Sequence, residues 1–152
     1  LSAMVVRDGK AIIGHIGDSR VYLWRNNELH QLTADHSLVE AMKSAGISNF
    51  MLTHKFGHII TRAIGVNESS EPDIFVADVD AGDRYLLCTD GLTDVVDDET
   101  IAHYLGSLHP SESCTALVEE ALRRGGEDNI TAVVVETRAE GKKSERVSRD
   151  AA

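Results

Sequence analysis

Two dipeptides, Asp8-Gly9 and Asn26-Asn27, constrain the fold of this chain more than any other feature. Each separates a pair of short β-rich runs, and so short a connection joins antiparallel neighbours. The runs are Leu1 to Arg7 and Ala11 to Ile16 around the first, then Arg20 to Arg25 and Glu28 to Leu32 around the second. Gly17-Asp18-Ser19 punctuates the middle. Four short strands with tight turns predict an antiparallel meander. Tyr22 and Trp24 alternate with Val21 and Leu23, which implies a third strand covered on both faces.

From Thr33 the pattern changes. Ser37 and Glu40 have capping-box spacing ahead of Leu38, Val39, Met42 and Ala45, and Gly46 is a natural stop, so a helix is expected. Residues 47 to 58 show no period, and 59 to 71 read as ambiguous chain and loop. Pro72 to Val79 alternates like a strand, and Asp80 to Asp83 is a turn into a second apolar run, Tyr85 to Cys88. Two helices follow. Asp97 or Asp98 caps the first, with Ile101, Ala102, Tyr104 and Leu105 as its apolar positions. Pro110 opens the second, which carries Cys114, Leu117, Val118, Ala121 and Leu122 and ends at Gly125-Gly126. Ile130 to Thr137 is the last strand. Beyond Arg138 the composition is that of a disordered tail. Strands, helix, strands, helices and strand predict a mixed α+β domain.

A formal net charge of −10 argues against nucleic acid or an anionic membrane as the main partner. Cys88 and Cys114 have neither zinc spacing nor a disulfide framework, and no apolar stretch reaches membrane-spanning length. A reduced, cytoplasmic compartment is the default expectation. The chain opens at Leu1, directly inside a strand, which is the pattern expected of a fragment.

Three acidic residues stand at junctions between strands and turns. Asp90 follows the Tyr85 to Cys88 run and precedes a glycine, Asp128 stands just before Ile130 to Val135, and Asp18 lies between the second and third strands. Asp-Gly is first of all a turn dipeptide, so each carboxylate read singly is a turn or cap residue. Read together, carboxylates fixed at strand ends are suited to a metal, and ligands offering only oxygen select magnesium or manganese over zinc. The histidines lack metal-ligand spacing, and His15, His30, His103 and His109 read as ordinary core or surface residues. No Gly-rich phosphate loop precedes a helix and no nucleophile elbow is present, so nucleophilic serine or cysteine catalysis has little support.

Five motifs in order give these residues a context. They are Gly17-Asp18-Ser19-Arg20, Leu32 to Ser37, Ile60-Thr61-Arg62-Ala63-Ile64-Gly65, Asp90-Gly91-Leu92-Thr93-Asp94, and Gly126-Glu127-Asp128-Asn129-Ile130-Thr131. From about Leu1 to Glu136 the chain resembles the C-terminal two-thirds of the metal-dependent protein phosphatases of the protein phosphatase 2C type, in a bacterial-like form. The resemblance implies part of a four-layer αββα sandwich, two antiparallel sheets flanked by helices, with the N-terminal elements missing. Residues 1–137 would be the phosphatase portion, with a flap at about 35–59, and residues 138–152 the disordered tail. It implies hydrolysis of phosphoserine and phosphothreonine in proteins by a metal-activated water, with two or three Mn2+ or Mg2+ ions in the complete domain. Asp90 and Asp128 match metal ligands, and Asp18 matches a residue that holds a third, weaker metal with the Asp90 position. Asp94 matches a structural member of its motif.

Three family features have no counterpart here: a phosphate-binding arginine, an Asp-Gly pair whose aspartate bridges two metals, and a histidine acting as general acid. The water-activating centre is therefore expected to be incomplete, and the chain is expected to lack full activity alone. The expected partners are a phosphoprotein substrate and a serine/threonine kinase or its targets, and the complete domain is expected to be monomeric. A reading from another class is a catalytically inactive phosphatase-like module that binds a phosphoprotein or a kinase.

Overall fold

The computed structural model describes residues 1–47, 59–66 and 71–139. Among the described residues, seven strands form two antiparallel sheets. In the first, β1 (Ser2–Arg7), β2 (Lys10–His15) and β5 (Asp73–Asp78) lie in the order β1-β2-β5. In the second, β3 (Arg20–Arg25), β4 (Glu28–Gln31), β6 (Arg84–Cys88) and β7 (Ala132–Glu136) lie in the order β4-β3-β6-β7. The helices are α1 (Leu38–Ser44), α2 (Asp90–Thr93), α3 (Asp98–Ser107) and α4 (Pro110–Arg123).

Both two-residue turns form. Asp8 and Gly9 have φ of 51° and 71°, Asn26 and Asn27 of 53° and 64°, and the flanking registers are Arg7↔Lys10 and Arg25↔Glu28. Two positive values in succession suit the twist of a tight hairpin. The four-stranded meander does not form. β2 pairs with β5 and β3 with β6, so the chain changes sheets at Gly17 to Ser19. The reason is tertiary: each inner edge takes a strand from much later in the chain, which local pattern does not encode.

The two sheets meet face to face through Ala11, Leu23 and Tyr85, with Met4, Leu87 and Val135 against them. On its other face, the second sheet presents Tyr22, Leu86 and Cys88 to Ile101 and Leu105 of α3 and Leu117 and Ala121 of α4. Val21, Tyr22 and Leu23 are all buried, as their alternation implies. Burial of each large side chain here contributes about 1.5–3 kcal/mol. Burial also pushes the Cys88 thiol up to about 12, consistent with an inert core residue. Three of the four expected layers thus lie among the described residues. On the outer face of the first sheet, Val5, Ile12, Ile74 and Val76 stay 42–62% exposed.

At one end Arg25 crosses between the sheets. Its Nε and Nη2 donate to the buried Asp83 carboxylate at 2.7 and 2.6 Å, and Nη2 also donates to the Asp78 carbonyl at 2.8 Å. Helix capping follows the sequence closely. Ser37 Oγ accepts from Glu40 N, Asp97 Oδ1 accepts from Thr100 N, and Pro110 opens α4. The expected apolar face of α1, however, buries none of its residues. Most of the proposed irregular part of the flap (48–58) and of the proposed tail (140–152) falls outside the described residues.

Candidate active site

The opposite end of the sandwich gathers the three acidic junctions. β6 ends at Cys88, and α2 begins at Asp90 rather than at a bare turn. Between them Thr89 ties the inner strand β6 to the start of the edge strand β7. Its Oγ1 donates to Asn129 O at 3.0 Å and accepts from Thr131 N at 3.0 Å, and its own N–H donates to Thr131 O at 3.1 Å. Gly91 completes the contact. A Cβ there would lie 2.5 Å from Asn129 O, so a glycine is needed for the Asp128-Asn129 backbone to rest on the start of α2. Asp90 and Asp128, 38 positions apart in sequence, are thereby brought to one wall. Asp90 Oδ1 accepts from Gly91 N at 2.9 Å, and Asp128 Oδ1 accepts from Asn129 N at 2.6 Å.

Asp18 comes from the step between the sheets. Burial raises its carboxyl pKa, and the Asp90 charge raises it further. Asp18, Asp90 and Asp128 line one open cavity of about 700 Å3, together with Asp35, Asp94 and Glu127. Two arginines also reach the wall, and acidic partners engage both. Arg20 pairs with Asp35 through three contacts of 2.7–3.1 Å, and Arg124 contacts Asp97 and Glu120 at 2.6 Å each. The third cation, Lys43 of α1, is exposed and lies 3.2 Å from Glu40.

This lining fits a hard divalent cation in kind. The donors are carboxylate oxygens, and a cation in the cavity would lift the penalty that burial and Asp90 place on ionised Asp18. In number the set is thin: among the described residues, no three His, Cys, Asp or Glu side chains converge to hold an ion. A cation here would draw part of its shell from water or from other groups.

The histidines among the described residues divide as expected, with one addition. His15 is a bonded core residue, its ring nitrogens 3.0 Å from Ser2 Oγ and 3.1 Å from Ala34 O, and burial lowers its pKa. His30, His103 and His109 are exposed. His36 is the addition: buried, it bonds to Gly17, the residue before Asp18. Sequence reasoning gave no individual role to His36 or to Thr89; it read Gly91 as a point of close approach, and the structure supplies Asn129 as the group that approaches. For His36 and Thr89 the available signal was their adjacency to the aspartate motifs.

A two-sheet sandwich with an acid-lined cavity at the strand ends has clear relatives. The family model described as Protein phosphatase 2C matches residues 2–130, and the chain belongs to this family. It is 41% identical over 138 residues to the serine/threonine protein phosphatase PstP of Mycobacterium tuberculosis, covering 90% of this chain and 27% of that protein. It is 40% identical over 139 residues to the serine/threonine phosphatase stp of Listeria welshimeri, covering 90% of this chain and 55% of that protein. The crystal structure of the PstP catalytic domain in complex with two manganese ions superposes with a TM-score of 0.82 at 40% identity. That match covers 91% of this chain and 58% of that one. The chain therefore spans little more than half the length of the Listeria relative, and less of the mycobacterial one.

Proposed function

We propose that this chain is part of a serine/threonine protein phosphatase that hydrolyses phosphoserine and phosphothreonine in proteins with the help of divalent metal. The observation that carries the reading is the meeting of Asp18, Asp90 and Asp128 in one cavity, from three separate junctions of a protein phosphatase 2C fold. In this reading Asp90 and Asp128 hold one cation, and Asp18 with Asp90 holds a weaker one. Manganese, present in the PstP structure, is the first candidate, and magnesium suits the same oxygen donors. When bound, such a cation acidifies a water and offsets phosphate charge. The chain's own residues keep the cavity ready. Thr89 and Gly91 hold the Asp90 and Asp128 walls together, and Asp35 draws the Arg20 guanidinium to itself.

The phosphatase portion is assigned to residues 1–137, with a flap at about 35–59 beginning at Asp35 and a tail from 138. The partners assigned are a phosphoprotein and the kinase that modifies it. A cytoplasmic setting fits two free cysteines and the lack, among the described residues, of a helix long and apolar enough to cross a membrane.

The test is hydrolysis of a phosphothreonine peptide in manganese. The chain is assayed alone and mixed with the portion of a relative's domain that it does not span. Activity that depends on manganese and is abolished by Asp90→Asn supports the phosphatase reading, whereas full activity in Asp90→Asn overturns the assignment of Asp90. The thinness of the carboxylate set favours one other reading, an inactive module that binds phosphoproteins. Phosphopeptide affinity without turnover in either assay would favour that module.

A further inference from the structure

His36 is not an acidic cavity residue, yet it holds the turn that carries one. Its backbone N–H donates to Gly17 O at 2.7 Å, and its Nδ1 accepts from Gly17 N–H at 3.1 Å. One residue therefore engages both polar backbone groups of Gly17, and the next residue is Asp18. Gly17 has φ of 111°, a conformation that glycine reaches freely and also leaves freely, so it needs external bonds to stay defined.

The buried Gly17 N–H requires an acceptor. That commits the Nδ1 lone pair and places the ring proton on Nε2. Of the two groups at Nε2, the Asp73 carboxylate matches this tautomer. Nε2 lies 3.0 Å from Asp73 Oδ2, an acceptor at the start of β5. Arg62 Nη1, 2.9 Å from the same nitrogen, can only donate, so with the proton on Nε2 it directs its hydrogen to Asp73 Oδ1 at 2.9 Å and holds the carboxylate in place. His36 and Arg62 hydrogen bonds both lower the Asp73 pKa, which keeps it an acceptor. The His15 ring backs the His36 ring at 4.8 Å between centroids.

We propose that His36 is a positioning residue that fixes Asp18 in the cavity through its two bonds to Gly17, with Asp73 setting the tautomer that this requires. The inference deepens the phosphatase reading and rests on it for the role of Asp18. It makes the cavity depend on Asp73, a residue of the other sheet that does not line it.

Two substitutions of the full chain separate positioning from bulk stability. Asn places a side-chain oxygen where Nδ1 stands, and Gln places its polar end near Nε2. His36→Asn should keep Gly17 amide exchange and manganese affinity within about threefold of the unsubstituted chain. Loss of one buried hydrogen bond in His36→Gln should speed Gly17 exchange and weaken manganese binding by about tenfold each. Equal values in the two variants, at matched thermal stability, overturn the proposal. Should either variant fail to fold, Asp73→Asn leaves His36 in place. The ring 15N shifts should then show redistribution of the proton toward Nδ1, together with faster Gly17 exchange. Redistribution with Gly17 exchange unchanged overturns the proposal. The exchange readout needs no metal, so a chain that takes up no manganese removes the metal reading and leaves the clamp to be decided by Gly17.

Discussion

The two sheets support the same cavity by different means. The β4-β3-β6-β7 sheet is packed on both faces, with Tyr22, Tyr85 and Leu86 wholly buried, and it carries Asp90 and Asp128 at the ends of inner and edge strands. The β1-β2-β5 sheet buries one face through Ala11, Ile13 and His15 and leaves Val5, Ile12, Ile74 and Val76 exposed. Asp18 leaves this half on a glycine turn held by a histidine rather than by a packed layer. Carboxylates on a closed layer are placed by the core, whereas one on a half-covered layer needs dedicated polar bonds.

The strongest challenge to this contrast is paired truncation. Leu86→Ala, in the closed layer, should cost about 2–5 kcal/mol in denaturant unfolding. A cost close to that of a surface change would show that the second sheet is not the structural base. Gly91→Ala should come next, at about 1–3 kcal/mol, because a Cβ at 2.5 Å from Asn129 O forces the two walls apart. It should also weaken manganese binding more than its stability loss suggests, which titration of the folded variant would reveal.

Acid sharpens the comparison at the far end, where Arg25 joins the sheets. Burial pushes the Asp83 carboxyl pKa up, but hydrogen bonds from Arg25 and from Asp80 N–H, together with the Arg25 charge, bring it below its ordinary value. A depressed folded pKa means that this contribution is complete above about pH 4 and fades as pH falls through the folded value. Thermal unfolding between pH 7 and pH 3 should therefore show a loss that is smaller in Asp83→Asn. Smallest of all is Val76→Thr, on the exposed face, which should stay within about 0.5 kcal/mol. A larger cost in the isolated chain would mean that this face is already covered.

Much of this arrangement was legible in the sequence. Hairpin turns, caps and apolar periods are local, and Asp8-Gly9, Ser37, Asp97 and Pro110 act where their chemistry says they should. The predicted meander failed because strand partners are chosen across distance. Nothing within Ala11 to Ile16 indicates that its second neighbour begins at Asp73. The candidate carboxylates were visible as punctuation at strand ends. The partners of their supports were not. Thr89 reaches Asn129, Gly91 yields to the same residue, and His36 reaches back to Gly17. Each of these contacts exists only once the sheets have closed.

Calorimetric titration of the full chain with manganese tests the central claim most directly. Three aspartates sharing one cavity should give saturable binding that Asp90→Asn removes and Asp128→Ala reduces to the weaker site of Asp18 and Asp90, while the fold remains intact. Binding that survives both substitutions, or no binding by the folded chain, would contradict the account.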